Sequence, residues 1–282
     1  MYTDLLMASA LVVLGGLAGL ASSLLGLGGS MIVVPALLWL LPVVGIPAAE
    51  VPAVALATSL LVTLGTSSAG AWAHWRRGNL VAPFGRQNLT LMLFAAAGAM
   101  VGASVLPALP PRLSLAVMAA FQAGMAVQLW PSRRSALQRS IGVEPPCEPL
   151  EGLDRASTRA YFASVGCLAS VGLAGSFIMP FLVHLRVPQR MAVALAGWLG
   201  IGIALAATIT YAGHGQSRGS PSVDGVVGLV YVPAVCLLIA GSFAVVSAGA
   251  ALARRLNPRH LQRAIALALL GSSLFTAMVR LA

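Results

Sequence analysis

The chain has 282 residues, of which 59% are hydrophobic and only 9% are charged, and its formal net charge is +10. A soluble domain carries about 25% charged residues, so this composition excludes a water-soluble globular protein. All 17 basic residues are arginines, and nearly all of them lie in short gaps between long apolar runs. This distribution is typical of membrane-edge anchors, so we expect the lipid bilayer as surroundings and no nucleic acid as a partner.

Long uncharged runs predict where the chain crosses the membrane. A helix needs about 20 apolar residues to cross a hydrocarbon core of about 30 Å. Lipid offers no partner to the free edges of strands, so the runs are predicted to be helices. We therefore predict an all-α membrane protein with about eight transmembrane helices. The runs, in chain order, are residues 5–49, 51–75, 87–111, 113–132, 160–185, 191–217, 225–253 and 261–281.

A charged and proline-containing stretch, residues 132–157, interrupts the apolar sequence and predicts a solvent-exposed linker. It divides the chain into two four-helix repeats, residues 1–131 and 158–282. The halves resemble each other, because the Gly-Ala pair at 102–103 recurs at 249–250 and the Leu-x-Pro-Arg run at 109–112 recurs at 256–259. Two copies of an even number of spans are parallel repeats, whereas a re-entrant segment would change the symmetry.

The positions of the arginines leave the orientation open. With eight spans, ten of the 17 arginines lie on the side that carries both termini and seven lie on the other side. Basic residues favour the cytoplasmic side, but this difference is small.

The first apolar run, 45 residues without a charge, is too long for one span. Three glycines in four residues, Gly26, Gly28 and Gly29, disfavour a helix in its middle, and Ser30 follows as a good N-cap residue. We predict a broken helix with one part that ends near Leu25 and another that starts near Ser30. The N-terminus of a helix inside the membrane presents free N–H groups and the positive end of a dipole, which suits an anion.

The second half has a matching interruption at Gly172, Gly175 and Ser176. Paired glycine interruptions in corresponding positions of two halves indicate a transport site. Close helix packing is the alternative explanation for small residues, since they let two backbones approach each other.

Polar residues of the second run complete the candidate site. Thr58 and Ser59 lie inside the run, where hydroxyl groups can bind substrate or bond back to their own helix. His74, Arg76 and Arg77 end the run beside Trp75, as an interfacial anchor or, alternatively, a gate that attracts anions.

Carboxylates are absent from the predicted spans, and Glu50 lies at a boundary. Proton- and sodium-coupled carriers commonly place a carboxylate at depth. The membrane potential by itself drives one negative charge outward by about 2.3 kcal/mol per 100 mV. We therefore expect potential-driven anion movement, with no metal site and no cofactor.

These stretches resemble the TauE/SafE sulfite exporters, also called the toluene-sulfonate uptake permease family. The matching residues are GLAGLASSLLGLGGSMIVVP at 16–35, Ala-Thr-Ser at 57–59, AHWRRGN at 73–79 and the Gly-x3-Gly-Ala stretch at 98–103. The resemblance implies duplicated four-helix halves in the cell membrane, and export of sulfite, a sulfonate or a related sulfur-containing anion. Two departures are Ser30, which replaces the family's usual third glycine, and the second half, which lacks the Thr-Ser pair.

An intramembrane enzyme and a non-transporting scaffold are the rival classes. A serine hydrolase needs a histidine within reach of its nucleophile, and Ser30 with His74 is the one pair that invites the comparison. Ser30 is expected at a helix N-terminus and His74 at a membrane edge, so we expect no enzyme. Packing alone does not require two helix breaks, which argues against a scaffold.

Overall fold

The structure is a computed structural model of the chain. It describes residues 2–25, 30–76, 86–105, 108–129, 155–168, 178, 189–218 and 225–252, and, near the end of the chain, 263, 266–267, 270–271 and 273–274. Most of these residues are helical, as the composition predicts.

Eight helices and one short hairpin make up the described elements. The helices are α1 (Tyr2–Leu25), α2 (Ser30–Val43), α3 (Val51–Arg76), α4 (Arg86–Val105), α5 (Pro111–Leu129), α6 (Arg155–Leu168), α7 (Gln189–Arg218) and α8 (Val232–Leu252). The hairpin pairs strand β1 (Val226–Val227) with strand β2 (Val230–Tyr231) in antiparallel register.

Two of the described helices are long and apolar enough to cross a membrane by themselves, with Val51–Trp72 in α3 and Leu195–His214 in α7 as the apolar segments. Shorter apolar segments lie in α1, α2, α4 and α8. Large apolar side chains are exposed on several helices, for example Leu93, Val101 and Ile209. An outer surface of this kind is expected where lipid is the solvent.

Two described helices lie on either side of the predicted break in the first run. α1 ends at Leu25 and α2 begins at Ser30, whereas residues 26–29 lie outside the described residues. α1 differs from the expected half-helix in its length. Its 24 residues extend for about 36 Å, which exceeds the thickness of the hydrocarbon core.

The prediction of a helix from residue 225 is wrong, because residues 225–231 form the hairpin and α8 begins at Val232. Gly225 and Gly228 have φ angles of 88° and 63°, which glycine adopts without the strain that a Cβ atom would cause. The Val232 N–H donates a hydrogen bond to the Gly225 carbonyl at 3.0 Å and closes the hairpin.

Two pairs of helices pack with their backbones in close contact. α1 packs on α8 around Gly19 and Ser242, and α4 packs on α6 around Ala95 and Gly166. Any Cβ atom on Gly166 would collide with the Ala95 carbonyl group. The two contacts correspond to each other, because Gly19 precedes Gly166 by the same 147 residues that separate Ala95 from Ser242.

α3 is the central helix of the described structure, since it contacts α2, α7, α8 and strand β2. Most of its residues from Val54 to Val62 are fully buried. The functional side chains predicted at 58 and 59 therefore lie in the protein interior rather than in lipid.

The close contact of α4 with α6 predicts a strong penalty for Gly166→Ala. The added Cβ atom must displace the backbone at Ala95, and such overpacking costs about 1–3 kcal/mol. Gly124→Ala in α5 is the matched control, because nothing lies within 4 Å of its Cβ position. We expect the apparent melting temperature in detergent to fall for Gly166→Ala and to stay level or rise for Gly124→Ala. Equal melting temperatures would contradict the contact.

Candidate functional site

Ser30 is the first residue of α2 and is fully buried. Its Oγ atom has no hydrogen-bond partner within the part of the chain that the structure describes. The capping bond expected of Ser30 is thus not formed, since Ser30 already belongs to the helix, whereas a capping residue stands just outside it. A buried hydroxyl group without a partner destabilises the folded protein by about 1–3 kcal/mol. A bound ligand that accepts a hydrogen bond from Ser30 would remove this penalty.

Most buried hydroxyl groups of α3 bond back to their own helix. Ser59 Oγ donates to the Leu56 carbonyl at 2.9 Å, Thr63 Oγ1 donates to the Ser59 carbonyl at 2.8 Å, and Thr66 Oγ1 donates to the Thr63 carbonyl at 3.2 Å. A hydroxyl group has one proton, so these three have none left for an anion. Of the two expectations for Ser59, substrate binding or a bond to its own helix, the structure shows the bond to its own helix.

Thr58 behaves differently from its neighbour. Its Oγ1 atom accepts a hydrogen bond of 3.0 Å from the N–H of Tyr231 in strand β2. The residue is fully buried, and the Thr58 proton has no acceptor among the described residues. Thr58 thus fixes the hairpin to α3 and keeps a proton available for donation.

The hairpin covers this part of α3 with apolar side chains. Leu229 and Val230 are buried. Gly228 lies against α7, where a Cβ atom built on it would be 3.6 Å from the carbonyl oxygen of Ala212. The glycines at 225 and 228 are the sequence signal that could have predicted this turn. They were missed because the apolar run continues through them without a charge.

Two further buried polar atoms lack a partner among the described residues. They are Oγ1 of Thr208 in α7 and Oε2 of Glu50, which precedes α3. Sequence reasoning missed Thr208, since single hydroxyl residues are common in apolar helices and nothing about its spacing singles it out.

The C-terminal end of α3 carries exposed aromatic and basic residues. Trp72 and Trp75 stack edge to face with 5.3 Å between ring centroids, and the Arg76 guanidinium carbon lies 5.7 Å from the Trp72 centroid. Trp72 and Trp75 are about half exposed, as headgroup-level aromatic residues are. The interfacial anchor stays a prediction. The helix includes His74, whose side chain lies outside the described part.

Part of the predicted site lies outside the described residues: Gly26, Gly28, Gly29, Arg77, Gly172, Gly175 and Ser176. Within the described ranges, no group of three or more His, Cys, Asp or Glu residues could hold a metal ion. The described members of the predicted site are thus the hydroxyl groups of Ser30 and Thr58, on two different helices, and the first turn of α2. This donor set suits a negatively charged solute, because both hydroxyl protons and helix N-termini favour anions.

Comparison with known proteins gives the family. Residues 11–276 match the family model described as sulfite exporter TauE/SafE. A probable membrane transporter protein of Haemophilus influenzae is 24% identical over 273 residues, which cover 96% of this chain and 97% of that protein. The probable membrane transporter protein YunE of Bacillus subtilis is 37% identical over 97 residues, 34% of each chain. No solved structure matches. The chain is a membrane protein of the TauE/SafE family, a family of membrane transporters.

Proposed function

We propose that this transporter moves a small anion outward across the cell membrane, and that the anion is sulfite, a sulfonate or a related sulfur-containing species. The substrate class is supported by the family description. The observation that carries the anion site is the buried Ser30 hydroxyl group, which has no partner within the described residues.

Ser30 lies deep in the membrane in this proposal. It is the first residue of α2, a helix of 14 residues, and therefore lies about 20 Å along the helix axis from the last residue, Val43. An anion beside Ser30 would accept hydrogen bonds from the serine hydroxyl group and from the N–H groups of the first turn of α2. Hydrogen bonds to a charged group contribute about 1.5–3 kcal/mol, enough to offset part of the cost of dehydration.

Thr58 is the second proposed donor. The Tyr231 N–H fixes its oxygen atom from one side, and its proton remains for the substrate. Ser59, one residue further, is excluded from a donor role, because its proton is bound to the Leu56 carbonyl.

Ser30→Ala tests the site, and Ser59→Ala is the matched control. Loss of the Ser30 donor removes a hydrogen bond to an anion, which at 1.4 kcal/mol per tenfold change lowers flux about tenfold or more. Ser59→Ala removes a hydroxyl group whose proton is already donated to a carbonyl group of α3, so its flux stays within about twofold of wild type. Uptake of sulfite and of short sulfonates into proteoliposomes under an imposed potential measures both. Equal flux for the two variants would remove Ser30 from the site.

Thr58→Val and Thr58→Ser test whether the hydroxyl group of Thr58 is required. Valine removes the acceptor of the Tyr231 N–H, and an unsatisfied group of this kind costs about 1–3 kcal/mol. We therefore expect Thr58→Val to lower both the apparent melting temperature and the flux, whereas Thr58→Ser keeps both near wild type. A valine variant as stable as the serine variant would contradict the bond between α3 and the hairpin.

The absence of carboxylates within the predicted spans supports a flux that follows the membrane potential. In proteoliposomes with a potassium diffusion potential, we expect anion flux to rise with the imposed voltage and to persist when the proton gradient is removed. Collapse of the flux with the proton gradient, at constant potential, would refute potential-driven movement.

A further inference from the structure

Two contacts reveal the relative direction of α3 and α8. Tyr231, which immediately precedes α8, is hydrogen-bonded to Thr58 at 3.0 Å. Further along both helices, a Cβ atom on Gly65 would lie 2.9 Å from Cδ1 of Ile239. Residue numbers rise together on the two helices, so α3 and α8 are parallel.

α3 and α7 run in opposite directions. The Cβ position of Gly197 lies 3.7 Å from the Ala71 nitrogen, and that of Gly200 lies 3.0 Å from Ser67 Oγ. The C-terminal part of α7 reaches the other end of the contact, because the hairpin lies against Ala212 and is bonded to Thr58 in α3. Residue numbers therefore rise on one helix as they fall on the other.

These directions require one more reversal of the chain than the described helices provide. If each helix simply reversed the direction of the one before, α3 and α7 would be parallel, since α4, α5 and α6 lie between them. The charged linker has no apolar run that could cross the membrane. Since α3, α4 and α5 alternate in direction and α7 is antiparallel to α3, the chain that joins α5 to α7 leaves and returns on the same side of the membrane.

α2 is a short helix between α1 and α3 in the first half. α1 has 24 residues, about 36 Å, which exceeds the thickness of the core, whereas the 14 residues of α2 extend for about 21 Å and are too short to cross it. The first half thus has five segments, α1 to α5. An odd number of segments makes two copies run in opposite directions.

Two observations support equivalence of the halves. The contact of Gly19 with Ser242 corresponds to that of Gly166 with Ala95 after exchange of the halves by 147 residues. The sequence Ala-Val-Ala-Leu-Ala also occurs both at 53–57 in α3 and at 192–196 in α7. Thus α7 is the counterpart of α3 by sequence as well as by position.

We infer that the chain consists of two inverted five-segment halves, with the linker on the cytoplasmic side and the hairpin and the 44–50 loop on the opposite side. This topology places Arg112, Arg218 and Arg280 on one side and the other fourteen of the 17 arginines on the other. Arginine-rich sides face the cytoplasm, and this distribution is far more uneven than the ten and seven of eight spans.

The inverted arrangement goes beyond the proposed substrate and stands independently of it. In carriers with inverted repeats, one half rocks against the other and opens a midplane site alternately to each side. An arginine-rich cytoplasmic face would also raise the local concentration of anions at the inner entrance.

Single-cysteine variants test the topology in the full chain. Ala48→Cys and Val227→Cys, both at exposed positions, are each made with all three native cysteines replaced by serine, and a third variant keeps Cys147 of the linker alone. The probe is a membrane-impermeant maleimide, applied to bacterial spheroplasts before and after permeabilisation. We expect full labelling of residues 48 and 227 in intact spheroplasts, and at least a tenfold increase for Cys147 on permeabilisation.

Parallel four-span repeats place residues 48 and 227 on opposite sides, and that result would overturn the inverted arrangement. Residues 48 and 227 both protected, with Cys147 labelled in intact spheroplasts, would overturn the cytoplasmic assignment of the linker. Ala240→Cys, exposed within α8, is the control for a lipid-facing position, which the polar reagent does not reach on either side. A single symmetric peak in size-exclusion chromatography and a wild-type melting temperature show that each variant is folded, so the topology result does not depend on the proposed transport.

Discussion

The hydrogen-bonding demand of hydroxyl groups in a water-free interior is the constraint on which the described site depends. Lipid offers no partner, so each buried hydroxyl proton must find an acceptor in the protein or in a ligand. Along α3, Ser59, Thr63 and Thr66 meet this demand with carbonyl groups of their own helix. Ser30 does not within the described residues, and Thr58 uses only its acceptor function, towards the hairpin. The same constraint thus distinguishes structural hydroxyl groups from those that could bind a substrate.

Close backbone contacts hold these groups in position. Gly166 lets α6 approach the carbonyl groups of α4, and Ser242 donates across the equivalent contact of α8 with α1, 2.7 Å from the Gly15 carbonyl oxygen. Packing of this kind replaces the hydrophobic effect, which does not bring helices together in lipid. α3 contacts α2, α7 and α8.

Much of the helical structure follows from where charges and glycines occur. The ends of α1 and α2 at Leu25 and Ser30, and the extent of α3, agree with the uncharged runs and the glycine cluster. The hairpin could not be predicted by this method, because Val226 to Tyr231 are as apolar as a span. The partner of Thr58 could not be predicted either, since Tyr231 lies 173 residues away. Chain direction is likewise a property of contacts, and hydropathy alone reads α1 and α2 as one broken helix.

The central claim is that an anion binds at the start of α2, with Ser30 as a donor. The most direct measurement is an experimental structure of the purified protein in lipid with sulfite bound. The account predicts a sulfite oxygen within about 2.7–3.0 Å of Ser30 Oγ and within hydrogen-bond distance of the first N–H groups of α2. Sulfite bound elsewhere, with the Ser30 hydroxyl proton donated to a carbonyl group of the protein, would contradict it.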